Sequence, residues 1–327
     1  MTENTGFSRK IRESFFIVNS GAIMYDLGWR PSIVVLRNKM DFQTDEPMKL
    51  HTTFRTGGPA RRFCSIASVD ELIDVMSTAS REKDTLYIIG NGSNLLVSDR
   101  GLDGTVVEIG SRFQKIRILE DGIYAEAGAL LSGIAVAARD ASLEGMVFAS
   151  GIPGTLGGAV SMNAGAYGGE MKDIVEYVDV LREGRREEIP GDKMQFGYRS
   201  SRCHSEPIIV LGAKLRLKPG NRQEITAAMQ ELSRRRREKQ PLEYPSAGST
   251  FKRPEGHFAG KLIQEAGLAG YRIGGAEVSE KHCGFVINRG DATSEDIYLL
   301  IRHIIRTVED AFQVTLEPEV RMLGTFE

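Results

Sequence analysis

Gly151-Ile152-Pro153-Gly154-Thr155-Leu156-Gly157-Gly158-Ala159-Val160-Ser161-Met162-Asn163-Ala164-Gly165-Ala166-Tyr167-Gly168-Gly169 carries seven glycines in nineteen residues. Glycine lacks Cβ and tolerates positive φ, so such a stretch lets backbone approach something bulky and predicts that no helix runs through it. It also offers bare N–H groups, which suit an anionic or polar cofactor. A second glycine segment, Gly90-Asn91-Gly92-Ser93-Asn94, follows the apolar run Leu86–Ile89 about sixty residues upstream. The pair reads as two walls of one cofactor cleft.

The second segment begins like the dinucleotide motif GxGxxG, but Leu95 stands where the third glycine belongs. The chain continues as strand and turn (Val97-Ser98-Asp99-Arg100-Gly101) rather than the helix a Rossmann phosphate site requires. No GK[ST] follows either glycine segment, which removes a P-loop. A strand-turn-strand remains, open between an ordinary hairpin and a cofactor loop working by backbone donors.

Working outward, Ser68-Val69-Asp70-Glu71 is a capping box before Leu72, Ile73, Val75 and Met76 at helical spacing. Leu86–Ile89, Leu95–Val97, Thr105–Ile109 and Ile123–Ala127 predict strands, and 129–143 a helix closed by Gly145. Ile174–Leu181 and Pro207–Leu217 predict further strands. Strands with few helices up to residue 218 argue an α+β fold. Pro219-Gly220-Asn221 marks a boundary, followed by helices over 223–239, 258–266 and 294–312 and strands over 285–288 and 314–323. The division expected is an N-terminal extension (1–45) of no assigned role, then 46–218, then 219–327.

The 327 residues suffice for two domains, and 41% hydrophobic content for real cores. A net charge of −2 gives no signal for nucleic acid. The run Arg234-Arg235-Arg236-Arg237-Glu238-Lys239 is open between a solvated helix face and an anion-binding surface. Cys64, Cys203 and Cys283 lack metal-ligand or disulfide-framework spacing, so no metal site is expected. The longest apolar stretch, 15–36, is broken by Asn19, Asp26, Arg30 and Pro31, short of the roughly 18 residues that cross a bilayer. A cytoplasmic protein without membrane attachment is the expectation.

His51-Thr52-Thr53-Phe54-Arg55-Thr56-Gly57-Gly58-Pro59, the segment 90–97 and Gly151-Ile152-Pro153-Gly154-Thr155-Leu156-Gly157-Gly158 together resemble the FAD-binding part of the UDP-N-acetylenolpyruvoylglucosamine reductases. Asn163-Ala164-Gly165-Ala166-Tyr167-Gly168, Phe196-Gly197-Tyr198-Arg199-Ser200, Ser246-Ala247-Gly248-Ser249 and Leu316-Glu317-Pro318-Glu319-Val320-Arg321 continue the resemblance in the family's order. It spans residues 47 to 324. It implies a vanillyl-alcohol-oxidase-like FAD-binding fold followed by a smaller α+β substrate domain, with the last strand returning toward the FAD region. The implied reaction uses NADPH, through FAD, to reduce the enolpyruvyl ether of a UDP-linked sugar to UDP-N-acetylmuramate for peptidoglycan synthesis. The stretch between Leu217 and Gln223 is too short for the tyrosine-bearing substrate loop of one subtype, so the chain resembles the shorter subtype. Residues 1–45 exceed the family pattern, with Met24 and Met40 as in-frame starts.

The resemblance assigns Arg199, Ser249 and Glu319 as catalytic. Ser249 would protonate the carbanion-like intermediate. Arg199 would hold the substrate carboxylate as charge develops. Glu319 helps only if it is protonated or orients a donor, so a raised pKa is expected. Cofactor contacts are expected from Arg55, Gly57, Gly90, Asn91, Gly92, Ser93, Asn94, Leu95, Gly151, Pro153, Gly154, Gly157, Gly158, Asn163, Gly165, Ala166, Tyr167 and Gly168. Tyr198, Lys239 and His282 are expected at the substrate. Neither glycine segment holds His or Cys, so the FAD should be non-covalent. A flavin oxidase of the same wider fold and a non-catalytic flavin- or nucleotide-sugar-binding protein are the competing readings.

Overall fold

The computed structural model describes residues 41–327 and the backbone of one further strand, β1 (Ile23–Tyr25). The rest of the expected N-terminal extension through residue 40, Met40 included, lies outside the described residues.

The first sheet is built from β1, β2 (Gln43–Pro47), β3 (Pro59–Ser65), β4 (Leu86–Ile89) and, beyond the short β5 (Leu95–Val97), β6 (Leu102–Glu108). Its order is β1-β4-β6-β3-β2, with β6 parallel to both β3 and β4 and antiparallel strands at each edge. Helix α1 (Val69–Glu82) makes the crossover from β3 to β4. Only the N-cap half of the expected capping box forms, Ser68 Oγ accepting from the Glu71 N–H at 3.1 Å; Glu71 Oε2 accepts instead from the Ala67 N–H at 2.7 Å, one residue before the cap. Leu72, Val75, Met76 and Ala79 make one buried stripe. Every residue of β4 is buried, as an apolar run in a sheet covered on both faces should be.

The second sheet is fully antiparallel. It takes β7 (Ile116–Leu119) and β8 (Gly122–Glu126), then, after α2 (Leu131–Asp140), β9 (Leu143–Glu144), α3 (Leu156–Ser161), β10 (Gly165–Ala166) and β11 (Gly169–Glu170), the long strands β12 (Val175–Arg182), β13 (Arg185–Pro190) and β14 (Ile208–Arg216). Its order is β13-β12-β14-β8-β7. One core joins the two sheets, from Ile66 and Leu72 to Val178 and Ile209.

After β15 (Lys218–Pro219), which pairs with β9, comes α4 (Arg222–Lys239). A second core gathers α5 (Ala259–Glu265), the small sheet of β16 (Arg272–Ile273), β17 (Ala276–Val278) and β18 (Val286–Asn288), and α6 (Ser294–Phe312). It also takes in Phe54 and Leu96 from the first half of the chain. Two further ties cross between the halves. Asp99 accepts from the N–H groups of Ser294 and Glu295 at 3.0 and 2.9 Å, capping α6 from a distant turn. The final strand, β19 (Arg321–Leu323), lies parallel to β5, so it returns beside the 90–94 glycine segment.

Four local readings need correction. A helix does run through the 151–169 stretch: α3 contains Gly157 and Gly158. A Cβ on Gly157 would lie 3.0 Å from Ala127 Cβ, so the glycine lets α3 press against the end of β8, which offsets its poor helix propensity. Helix α2 ends at Asp140, not at Gly145, because Ser142 turns left-handed (φ 56°) and Leu143 joins β9. The strand expected over 314–323 forms only at 321–323; Pro318, lacking a donor, makes an isolated bridge with Phe251. Nor is 86–97 a hairpin: β4 belongs to the first sheet, while β5 pairs with β19.

Candidate active site

The glycine segments face each other across a cavity of about 240 Å³. On one side the loop 90–94 leaves the buried strand β4. Gly92 has φ 59°, and a Cβ there would sit 1.9 Å from the His51 carbonyl oxygen, so only glycine fits. Thr53 N–H donates to Gly92 O at 3.3 Å, so segment 51–58 props this loop from behind. The backbone N–H groups of Asn91, Gly92, Ser93 and Asn94 have no protein acceptor among the described residues. A concave run of free N–H groups of this kind is a cradle for a pyrophosphate. The opposite wall is Gly151 to Thr155, tied across the cleft by Asn91 Nδ2 donating to the Pro153 carbonyl at 2.6 Å.

Arg199 lies on a tight turn. Gly197 and Ser200 exchange backbone hydrogen bonds at 3.0 and 3.3 Å, leaving Arg199 in the left-handed region at φ 53°. Fully buried Asn163 anchors that turn: its Nδ2 donates to Gly197 O at 2.9 Å and to Glu170 Oε2 at 3.0 Å. The Arg199 Nε then donates to Glu319 Oε1 at 2.7 Å, and Nη2 donates to Gly165 O at 3.3 Å.

Glu319 arrives from the C-terminal segment, which pairs with the segment following Ser249. The Glu319 N–H donates to Thr250 O, and the Lys252 N–H to Glu317 O, both at 2.8 Å. Asn94 Nδ2 donates to Glu319 O at 3.0 Å, linking the 90–94 loop to the same segment. Burial pushes the Glu319 carboxyl above its ordinary range despite the opposing charges of Arg199, Lys252 and Arg321.

A second cavity of about 510 Å³ opens on the far side, lined by Tyr198, Phe258 and His282 among others. Arg199, Ser249 and Glu319 line both cavities, and no other described residue does so. They form the partition between a glycine-walled chamber and a mixed aromatic and cationic one.

Two family models match: "FAD binding domain" over residues 60–185 and "UDP-N-acetylenolpyruvoylglucosamine reductase, C-terminal domain" over residues 240–323. A UDP-N-acetylenolpyruvoylglucosamine reductase of Caldanaerobacter subterraneus subsp. tengcongensis is 53% identical over 281 residues, 86% of this chain and 93% of that protein. The chain belongs to the UDP-N-acetylenolpyruvoylglucosamine reductase family. The Clostridioides difficile relative of that name is 48% identical over 294 residues, covering 90% of this chain and 97% of its own length. Among solved structures, the Thermus caldophilus UDP-N-acetylenolpyruvylglucosamine reductase superposes with a TM-score of 0.76 at 36% identity, over 88% of this chain and all of that one. The α+β, FAD-binding fold that the resemblance implied therefore stands.

Within this reductase fold the predicted residues fall into groups. Gly90 to Leu95, Gly151, Pro153, Gly154, Gly158, Gly165, Ala166 and Tyr167 line the 240 Å³ cavity together. Arg55, Gly57, Gly157, Asn163 and Gly168 do not. Gly157 lines a small apolar cavity behind α3, Asn163 anchors the Arg199 turn, and exposed Arg55 (φ 57°) belongs to the segment behind the 90–94 loop. Tyr198 and His282 reach the larger cavity, where burial lowers the His282 pKa and Nδ1 accepts from the Gly284 N–H at 3.2 Å.

Lys239 lines neither cavity and is exposed. Its helix sends Arg236 and Gln240 inward instead. Arg236 Nε donates to Gln240 at 3.0 Å, burial lowers its pKa, and among the described residues it has no carboxylate partner. Arg234 and Arg235 are paired with Glu231, and Arg237 with Ser233, so the basic run is solvated face and inward cation at once. Phe148, Met162 and Phe285 complete the apolar lining. The sequence gives no signal for these, since apolar residues in loops look like ordinary core.

The residues present fit an FAD: free N–H groups for its pyrophosphate, glycines that let its bulk lie against backbone, and an inward cation.

Proposed function

We infer that the protein reduces UDP-N-acetylenolpyruvoylglucosamine to UDP-N-acetylmuramate, with non-covalent FAD in the glycine-walled cavity and the UDP-sugar in the larger one. The supporting observation is that, among the described residues, Arg199, Ser249 and Glu319 alone line both cavities. Reducing an alkene conjugated to a carboxylate needs a hydride on one side and a proton source and cation on the other, and a shared partition meets that need. When bound in the glycine-walled cavity and reduced by NADPH, FAD would supply the hydride for the β carbon.

The remaining work falls to side chains. The Arg199 guanidinium pairs with the substrate carboxylate, stabilising the charge that builds as the double bond is lost. The Ser249 hydroxyl gives its proton to the α carbon, and the serine oxygen is reprotonated from solvent. Burial favours the neutral form of Glu319, which weakens its repulsion of that carboxylate, and its Oε1 keeps Arg199 in place.

In this reading residues 46–218 carry the cofactor and 219–327 the substrate, the last strand closing back on the cofactor loop. The protein acts in the cytoplasm. Among the described residues no helix is long and apolar enough to cross a membrane. The test is anaerobic. NADPH should bleach the yellow protein, and UDP-N-acetylenolpyruvoylglucosamine should restore its colour rapidly. Oxygen consumption with sugars and no NADPH would instead point to a flavin oxidase.

A further inference from the structure

A track of alternating cations and rings leads away from the catalytic partition, and the chemistry above leaves its outer end unused. The Arg199 guanidinium carbon sits 5.0 Å from the centre of the Tyr198 ring. The Tyr198 hydroxyl accepts from the Arg253 N–H at 3.1 Å. The Arg253 guanidinium in turn lies over the Phe258 ring, 4.0 Å from its centre, with Nε donating to the His257 carbonyl at 3.3 Å. Tyr198, Arg253 and Phe258 all line the 510 Å³ cavity.

Phe258 is 59% exposed, so much of its ring stays open to solvent. Its backbone is nevertheless fixed, since its carbonyl accepts from Lys261 and Leu262 at 3.0 and 3.1 Å in the first turn of α5. One ring face is covered by Arg253 and the other is free. Arg253 itself has no carboxylate partner among the described residues. A preordered ring with one open face, backed by an unpaired cation, is the arrangement that stacks an aromatic base beside a phosphate.

We propose that Phe258, backed by Arg253, is the platform on which the pyrimidine ring of the UDP-sugar stacks, with Arg253 beside the diphosphate. This rests on reading the larger cavity as the UDP-sugar site. The enolpyruvyl end then lies at the partition and the uridine end at the rim. Tyr198 spans the distance between them.

The experiment uses the FAD-loaded protein and variants Phe258→Ala, Phe258→Leu and Phe258→Trp, with UDP as the titrated probe. Phe258→Ala should weaken UDP binding and raise KM for the UDP-sugar by about 5- to 150-fold, the range for losing one stacked base. Turnover at saturation and anaerobic flavin reduction by NADPH should not change. Phe258→Trp should restore affinity. Phe258→Leu keeps an apolar body, guards against misfolding, and should still bind poorly. UDP affinity within twofold of wild type in Phe258→Leu would overturn the platform, as would an equal slowing of NADPH-driven reduction. Failure of the wild-type protein itself to bind UDP would instead sink the UDP-sugar reading.

Discussion

Arg199 Nε donates to Glu319 Oε1 at 2.7 Å, and 120 residues of chain separate the two. The pair is largely buried, with 20% and 15% of the two side chains exposed. Burial raises the Glu319 pKa from its ordinary 4.5, and Arg199 is the strongest influence holding it down. The folded protein therefore holds this proton more tightly than the unfolded chain does. Its contribution to stability is complete below about pH 4.5 and is lost as pH rises through the raised value. Carboxyl NMR should show a Glu319 midpoint above 4.5, moving higher still in Arg199→Ala. Glu319→Gln, which cannot titrate, should escape the loss of stability at rising pH. A wild-type midpoint at or below 4.5 would refute the assignment.

Arg199→Ala should also slow reoxidation of reduced flavin by the enolpyruvyl substrate far more than reduction by NADPH. Stopped-flow absorbance of the two half-reactions separates these steps. Loss confined to the NADPH step would place Arg199 at the nicotinamide instead.

Ser249→Ala should retain bound, reducible FAD while turnover falls about 10²–10⁴-fold, the scale for a positioned proton donor. Steady-state assays on flavin-replete protein measure it. Near-normal turnover would remove the serine from the proton path.

Gly92→Ala should fold but lose flavin. Its Cβ would meet the His51 carbonyl, and φ 59° is unfavourable for alanine, so the 90–94 loop must shift. The flavin-to-protein absorbance ratio after gel filtration reads this directly. Full retention would mean the loop does not hold the cofactor.

Asp84 lies almost fully buried against Arg61, Arg62 and Thr105. Burial alone would raise its pKa, yet the Thr105 hydroxyl and the two guanidinium groups bring it below the ordinary 3.8. Its stabilisation is present above pH 3.8 and disappears as pH falls through the lowered value. Asp84→Asn should cost about 1.5–3 kcal/mol in urea unfolding near neutrality, with the deficit closing in acid. A deficit independent of pH would argue against the charge.

What the sequence revealed follows from range. The N-cap at Ser68 and the capped helix from Ser294 are written in consecutive residues, and both formed, although Glu71 closes on Ala67 rather than on Ser68. The meeting of Arg199, Ser249 and Glu319 depends on pairings across the whole chain, and only the ordered motifs of the resemblance made it visible. Lys239 shows the limit. Helix α4 buries only Ile225, so no apolar stripe reveals which of its cations turns inward. The Phe251–Pro318 bridge was hidden for a related reason, since 314–323 reads as a strand but nothing around Phe251 reads as its partner.

The parallel pairing of β19 with β5 has a consequence for biosynthesis. Arg321 N–H bonds Asn94 O at 2.9 Å, and Ser98 N–H bonds Leu323 O at 2.8 Å. The 90–94 loop, the proposed flavin cradle, is thus pinned by residues that leave the ribosome more than two hundred positions after it. The first sheet can assemble early, as N-terminal elements do. Firm capture of the cofactor waits for the last strand, so a chain truncated before residue 321 should emerge folded in large part yet colourless.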